Sequence, residues 1–117
     1  NRQSGQYQIC RAGLLADYND PMTFLEYWLS YAAINETGWG SEEYDQLISL
    51  ASAETDQNAR IKLLQAAEKL LVDNFPAMPI YFYNRAFLKQ PWVKNWPANI
   101  MGLRNYQRIQ LNFDTDN

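Results

Sequence analysis

The segment 41-SEEYDQLISLASAETDQNARIKLLQAAEKLLVDNFP-76 has the pattern of two consecutive helices. Ser41 can cap a first helix at 42–53, in which apolar residues recur every three or four positions. Thr55-Asp56 starts a second, stronger helix at 57–73. The apolar positions are Tyr44, Leu47, Ile48 and Ala51 in the first helix, and Ile61, Leu63, Leu64, Ala67, Leu70 and Leu71 in the second. We therefore expect two antiparallel helices that bury these stripes.

Segments with β-type patterns flank the two helices. Residues 6–15 alternate as a strand would, and 78–83 is rich in aromatic and aliphatic residues that favour strands. A turn could join the latter to 86–89, and 106–113 alternates well enough for a terminal strand. The fold class is therefore α+β. Because an isolated two-stranded unit is marginal in water, these segments either pair with one another or need partners outside the 117 residues.

The remaining segments are shorter or irregular. Asp20 is predicted to be the N-cap, and Pro21 the first residue, of a short aromatic helix at 21–31. Residues 35–40 are expected to form a loop, and 90–105 to be irregular. The acidic side chains that follow Ser41, which are Glu42, Glu43 and Asp45, should form a solvated face.

Composition excludes several classes of function. The 117 residues suffice for one compact domain, and the net charge of −3 comes without the basic stripe that nucleic-acid binding needs. No apolar window reaches the length of about 18 residues that a membrane span needs. The chain has no His and a single Cys10, so an internal disulfide and the usual metal-ligand clusters are excluded. We expect no metal, no cofactor and no His-dependent catalysis.

The start of the chain bears on its completeness. Asn1 is not a Met, and no signal-peptide pattern follows it. We expect the chain to be a fragment of a larger protein.

Four stretches carry a resemblance to a known family. They are 16-ADYNDPMTFL-25, 38-GWGSEEYDQLI-48, 68-EKLLVDNFPAMPIYFYNRAFL-88 and 89-KQPWVKNW-96. In this order and spacing, the chain resembles the C-terminal part of the oligopeptide- and dipeptide-binding proteins of ABC importers, the extracytoplasmic solute-binding proteins of family 5.

The resemblance implies a fold and a function. It implies a two-lobed periplasmic-binding-protein-like fold of type II, cluster C, which closes over a peptide. Residues 1–105 would be the C-terminal portion of the second peptide-binding lobe, and 106–117 a terminal strand returning to the other lobe. The protein would be periplasmic or otherwise extracytoplasmic. It would bind peptides and deliver them to the permease subunits of the importer, reaching the membrane only through the transporter or a lipid anchor.

The chemistry of a free peptide indicates what such a site needs. A binder that is indifferent to side chains must hold the ammonium with a carboxylate, the carboxylate with Arg, and the amides along an extended edge. By resemblance, Asp17 would receive the ligand's N-terminal ammonium, and Arg11 would lie near its C-terminal end. Gly13 would lie along the ligand backbone. Leu14 stands where the best-known enterobacterial members have Trp, which changes the shape of one side-chain pocket.

Two further positions carry over from the resemblance. Arg2 would line the region of the ligand side chains, and Tyr83 would face the cleft.

Structural alternatives accompany each of these residues. Asp17 could be a turn residue that holds backbone amides, and Arg11 a solvated or ion-paired strand residue. Tyr83 could equally belong to the core. The aromatic residues of possible sugar platforms are more typical of packing; they are Trp39, Trp92 and Trp96.

Alternative functions remain open as well. The same fold could bind a cell-wall peptide, an oligosaccharide or a metal chelate instead. A carboxylate-dependent hydrolase that uses Asp17 with Asp20 is less favoured, because a three-residue gap across a turn makes convergence on one bond difficult. A stand-alone interaction module would require the chain to fold without further residues. We expect a binding protein and not an enzyme.

Overall fold

A computed structural model describes residues 4–84, 86–96 and 105–113. The chain forms two compact units, an N-terminal unit up to Pro79 and a C-terminal unit from Ile80. The helices lie in the N-terminal unit, and the one short sheet among the described residues lies in the C-terminal unit.

Two helices dominate the N-terminal unit, as the sequence predicts. Helix α2 spans Glu42–Ala53, and Ser41 caps it by accepting a hydrogen bond from the Tyr44 amide at 3.3 Å. Helix α3 spans Gln57–Asn74, one residue longer than predicted, and the Asp56 carboxylate accepts from the Ala59 amide at 2.7 Å. Phe75 ends α3 in the left-handed conformation, with φ of 54°. The N-cap predicted at Ser41 and the helix start predicted at Thr55-Asp56 are confirmed.

The core lies where α2 and α3 pack against each other and against the segment before them. Tyr44, Ala51 and Ala67 are 0% exposed, and all three belong to one buried apolar cluster. The other buried apolar side chains are Met22, Leu25, Leu29, Ile48, Leu64 and Leu71. The predicted stripes are thus largely confirmed, but Ile61 is 40% exposed and lies outside the core.

The predicted helix at 21–31 is much shorter in the structure. Helix α1 spans only Met22–Leu25, and a 3-10 turn continues it over Glu26–Trp28. The chain leaves the helix at Leu29 because the Ser30 amide and hydroxyl both donate to the Asp45 carboxylate on α2, the amide at 3.0 Å. A tertiary hydrogen bond therefore replaces the next helical one, and Asp45 does not belong to a purely solvated face.

The start of α1 also differs from the prediction by one residue. Pro21 occupies the N-cap position and not the first helical position. Asp20 lies one residue earlier, yet its carboxylate still accepts from the Met22 amide at 2.8 Å. The capping chemistry of Asp20 is confirmed, while its position is not.

One amide side chain organises the loop between α1 and α2. Asn35 Nδ2 donates to the carbonyls of Trp28, Leu29 and Trp39 at 2.9–3.3 Å. Its Oδ1 accepts from the amide and hydroxyl of Thr37 at 3.2 and 2.7 Å. Asn35 thereby satisfies backbone groups that helices or strands would otherwise satisfy. It brings Trp39 to the edge of the Tyr44 ring, with centroids 5.1 Å apart. Trp39 is thus a packing residue.

The β predictions are confirmed only at the end of the chain. Strands β1 (Val93–Lys94) and β2 (Gln110–Leu111) pair antiparallel, Val93 opposite Leu111. β2 lies within the predicted strand 106–113, but Tyr106–Arg108 form a 3-10 turn. β1 lies in a region that the sequence indicated as irregular.

The other predicted strands are absent from the described residues. Residues 6–15, 78–83 and 86–89 form no strand there. The physical reason is the lack of a pairing partner, since a strand exists only through hydrogen bonds to a neighbour. The helices and the short sheet are compatible with an α+β class.

The buried hydroxyl of Tyr44 gives a test of the core. It donates to the Leu25 carbonyl at 2.6 Å, which links α2 to α1, and burial raises its pKa. Tyr44→Phe keeps the ring and removes this hydrogen bond. We expect it to lower the free energy of unfolding by about 1–3 kcal/mol in urea titrations. Tyr31→Phe, at a side chain that is 74% exposed, is the control and should change nothing measurable.

Candidate functional site

The candidate site is the turn formed by residues 17–20, which precedes α1. The Asp20 amide donates to the Tyr18 carbonyl at 3.0 Å, and the Thr23 amide donates to the Asp20 carbonyl at 3.2 Å. These bonds fold the chain from an extended segment directly into the helix. The turn contains two carboxylates, those of Asp17 and Asp20, and the structure gives them different environments.

A buried hydroxyl fixes the backbone of Asp17. The Asp17 amide donates to Thr23 Oγ1 at 3.0 Å, and Thr23 is 0% exposed. Thr23 belongs to α1, which packs into the core. The position of the Asp17 backbone is therefore set by the core, while its side chain lies at the surface.

Asp20 is fully engaged. Both of its carboxylate oxygens accept from Arg60 of α3, from Nη1 and Nη2, at 2.8 Å each. This is the two-pronged geometry that suits a guanidinium and a carboxylate. Arg60 holds the pKa of Asp20 below its usual value, the Met22 amide acts in the same direction, and Asp20 in turn raises the pKa of Arg60.

A second polar pair lies beside this one. The Tyr18 hydroxyl donates to Glu26 Oε1 at 2.9 Å. Burial, followed by the hydrogen bond to Glu26 and its negative charge, raises the pKa of Tyr18 to about 12. The tyrosine is therefore neutral at physiological pH, and the Glu26 carboxylate already has a donor.

Asp17 is left as the available carboxylate of the turn. Within residues 4–84, 86–96 and 105–113, no hydrogen bond or ion pair reaches its side chain. The alternative interpretation, in which Asp17 holds backbone amides of the turn, is wrong for the described residues, because it is its own amide that is bound. Chemically, the turn presents one exposed carboxylate, that of Asp17, on a backbone held by Thr23.

The other predicted site residues lie in three places. The exposed Arg11 and Gly13 and the half-buried Leu14 lie on the extended segment that leads into the turn. Tyr83 is 56% exposed in the C-terminal unit, where its ring packs edge-on against Tyr81 with centroids 4.8 Å apart. It is therefore not a core residue there. Arg2 lies outside the described residues.

The sequence analysis missed Thr23 and Arg60, which position the turn. Thr23 gives only a weak signal, as a polar residue within an apolar helix. Arg60 gives a stronger one, because a cation in the first turns of α3 faces the positive end of the helix dipole. A cation at such a place suggests a specific carboxylate partner.

Two features are absent from the described residues. No cluster of three or more His, Cys, Asp or Glu side chains that could hold a metal ion occurs in the described ranges. None of the helices seen there has the length and apolar character that crossing a membrane requires.

Comparison with known proteins identifies the class of the chain. No model of a known protein family matches it. It is 42% identical over 89 residues to a dipeptide-binding protein of Bacillus subtilis, covering 76% of this chain and 16% of the relative. It is 36% identical over 99 residues to the periplasmic murein peptide-binding protein of Escherichia coli, covering 85% and 18%. It is 35% identical over 114 residues to a periplasmic oligopeptide-binding protein of Haemophilus influenzae, covering 94% and 21%.

All three relatives are named as binding proteins, and the latter two as periplasmic, which implies a fold of the periplasmic-binding-protein type. Over 76–94% of its residues the chain is similar to oligopeptide- and dipeptide-binding proteins, which confirms the resemblance seen in the sequence. The names of these relatives describe binding proteins, in keeping with the expectation from the sequence. The chain spans only 16–21% of the length of the relatives described above.

The Asp20–Arg60 pair predicts a pH dependence of stability. Because the pKa of Asp20 is lower in the folded chain, its ionised form adds stability above its unfolded pKa of about 3.9. This contribution is lost as pH falls through the folded-state pKa. We expect Asp20→Asn, which can still accept from Met22, to lower the urea midpoint at pH 7 and to approach wild type as pH falls through the folded-state pKa of Asp20.

Asp73→Asn serves as the control for that measurement. Asp73 pairs with Lys69 on the surface of α3, and exposed pairs of this kind contribute little to stability. A constant difference between Asp20→Asn and wild type from pH 7 to pH 3 would contradict the role assigned to the ion pair.

Proposed function

We propose that this chain is part of a protein that captures peptides outside the cytoplasmic membrane and delivers them to an ABC importer. The observation that carries the proposal is the turn at 17–20, in which Asp20 is neutralised by Arg60 while the Asp17 carboxylate is exposed and has no partner among the described residues. The peptide-binding relatives supply the class of ligand.

Asp17 receives the N-terminal ammonium of the ligand. An ammonium needs a carboxylate whose charge is not already balanced, and the turn supplies one such group on a fixed backbone. Asp20 is unsuited to this role, because an incoming ammonium would have to displace both hydrogen bonds from Arg60. The same engagement argues against a hydrolase that uses Asp17 and Asp20 together.

The extended segment before the turn binds the rest of the peptide. Gly13 lies along the ligand backbone, Leu14 borders a side-chain pocket, and Arg11 lies near the ligand's carboxylate. All three precede Asp17 on one stretch without internal hydrogen-bonded structure, which suits β-type pairing with a peptide. Ligand contacts of Tyr83 and Arg2 stay predictions from the resemblance.

The exposure of residues 78–88 supports the proposal that a part of the protein outside the 117 residues covers them. Its apolar side chains are largely exposed, Phe82 at 96% and Ile80 at 78%. A near-continuous apolar run is typical of a strand that is covered on both faces. The remaining lobes of a two-lobed binding protein are the proposed cover, and the boundary between residues 105 and 106 stays a prediction. Association with the membrane would then run through the transporter or a lipid anchor.

A cell-wall peptide is the second candidate ligand. The murein peptide-binding relative, which is 36% identical to this chain, favours it over a sugar or a metal chelate. Both peptide candidates can present a free amino group to Asp17. Competition between a tripeptide and a murein-derived peptide for the full-length protein distinguishes them by relative affinity.

The role of Asp17 is tested by its removal. In the full-length protein that contains this chain, Asp17→Ala should weaken tripeptide binding by about 2–5 kcal/mol, because it leaves the ligand's ammonium buried without a partner. At about 1.4 kcal/mol per tenfold, the dissociation constant rises roughly 30-fold to several thousandfold. Isothermal titration calorimetry measures the change.

Two controls accompany this titration. Glu43→Ala removes an exposed carboxylate from α2 and should leave the affinity unchanged. N-acetylation of the tripeptide removes the ammonium and should abolish most of the difference between wild type and Asp17→Ala. If Asp17→Ala bound the free tripeptide within threefold of wild type, Asp17 would not be the residue that binds the ammonium.

A further inference from the structure

We propose that the Asp20–Arg60 ion pair is a positioning clamp that holds Asp17 in the orientation that binds the ligand's ammonium. The inference rests on the proposed function of Asp17 and extends it to two residues that do not touch the ligand. Asp20 and Arg60 are positioning residues, and the group that contacts the ligand is Asp17.

The geometry of the pair makes it a clamp and not only a charge contact. Two parallel hydrogen bonds of 2.8 Å fix the plane of the Asp20 carboxylate as well as its distance from Arg60. A third bond to the same carboxylate comes from the Met22 amide at 2.8 Å. A side chain held by three donors has little freedom to rotate, so the turn cannot shift at this end without breaking them.

The clamp joins the turn to a rigid element. Arg60 lies in α3, and its amide donates to the Asp56 carbonyl at 2.9 Å within the capped first turn of that helix. Leu64 and Ala67 of the same helix are buried in the core. The side chains of the Arg60–Asp20 pair are 16% and 28% exposed, so neighbouring residues partly shield the pair from water. The turn therefore takes its position from the α2–α3 core.

The other end of the turn is fixed independently. Thr23 Oγ1 accepts from the Asp17 amide at 3.0 Å, and Thr23 is fully buried. Asp17 thus lies in a short loop with fixed points at both ends. A carboxylate presented from such a loop loses less conformational entropy on binding than one on a mobile segment.

The clamp also determines which carboxylate the ligand meets. Arg60 balances the charge of Asp20, and the Tyr18 hydroxyl donates to Glu26 beside it. An ammonium that approaches the turn therefore finds Asp17 as the unbalanced charge. Loss of Arg60 alone would leave Asp20 as a competing carboxylate, so a test of positioning must remove both charges together.

The test is the double variant Asp20→Asn/Arg60→Gln in the full-length protein. It leaves the net charge unchanged, and Asn can still accept from the Met22 amide. The matched control is Lys69→Gln/Asp73→Asn, which neutralises an exposed ion pair on the same helix. Affinity for a free tripeptide is measured by calorimetry for both variants, each in the wild-type and in the Asp17→Asn background.

We expect the clamp variant to bind the tripeptide about three- to tenfold more weakly than wild type, as for a supporting shell that holds a binding group. In the Asp17→Asn background, the same two changes should have no further effect, because the group they position is gone. The Lys69/Asp73 control should match its parent in both backgrounds.

Two results would overturn the clamp while leaving Asp17 in its role. One is unchanged affinity in the clamp variant, and the other is an equal loss in both backgrounds, which would indicate a general effect on the fold. No effect of Asp17→Asn itself would instead refute the proposed function, and the clamp with it. Arg60→Lys, which keeps the charge and can keep one hydrogen bond, should lie between wild type and the double variant, and it provides the test if the double variant does not fold.

Discussion

The close packing of α2 against α3 is the contact on which the rest of the N-terminal unit depends. Ala51, Ala67 and Tyr44 have no exposed surface and belong to one apolar cluster. Tyr44 also reaches out of the helix pair, since its hydroxyl binds the Leu25 carbonyl of α1. The short helix α1 could not stand alone, because nucleation costs more than four residues can return. The helix pair supplies α1 with an apolar surface and a hydrogen bond. The turn that precedes α1 depends on the same support.

The parts of this fold that the sequence predicts are those that local chemistry determines. Ser41 and Asp56 cap α2 and α3 with their own side chains, and the apolar stripes need only helical periodicity. The predicted helix 21–31 was wrong beyond Trp28, because Ser30 binds Asp45, fifteen positions away, and no local pattern encodes that bond. The predicted strands likewise depended on distant segments, because a strand needs a neighbour to pair with. An alternating pattern such as that of residues 6–15 describes a surface suited to pairing, but it does not supply the neighbour.

In the candidate site, too, local features could be predicted from the sequence and distant contacts could not. Asp17 could be singled out from the sequence, because a turn before a helix needs Asn19, Asp20 and Pro21 but has no local need for a further carboxylate. That Asp20 is neutralised could not be predicted, since Arg60 lies forty positions further along the chain. From the sequence, the two acidic residues of the turn could be considered together as the carboxylates of a hydrolase. Their contacts separate them into one that belongs to the structure and one that is available to a ligand.

The surface of the chain therefore has regions whose polar groups are satisfied and regions whose apolar side chains are exposed. Around the turn, the polar groups of Asp20, Thr23 and Tyr18 have partners, and the backbone is tied to the core. Along residues 78–88, large apolar side chains lie in water, which costs free energy that a folded protein ordinarily recovers by burial. In the two-lobed binding protein that we propose, both properties would be needed, because the ligand site must be rigid before the lobes close. One lobe would orient the carboxylate, and closure over the ligand would remove the water that weakens the ion pair.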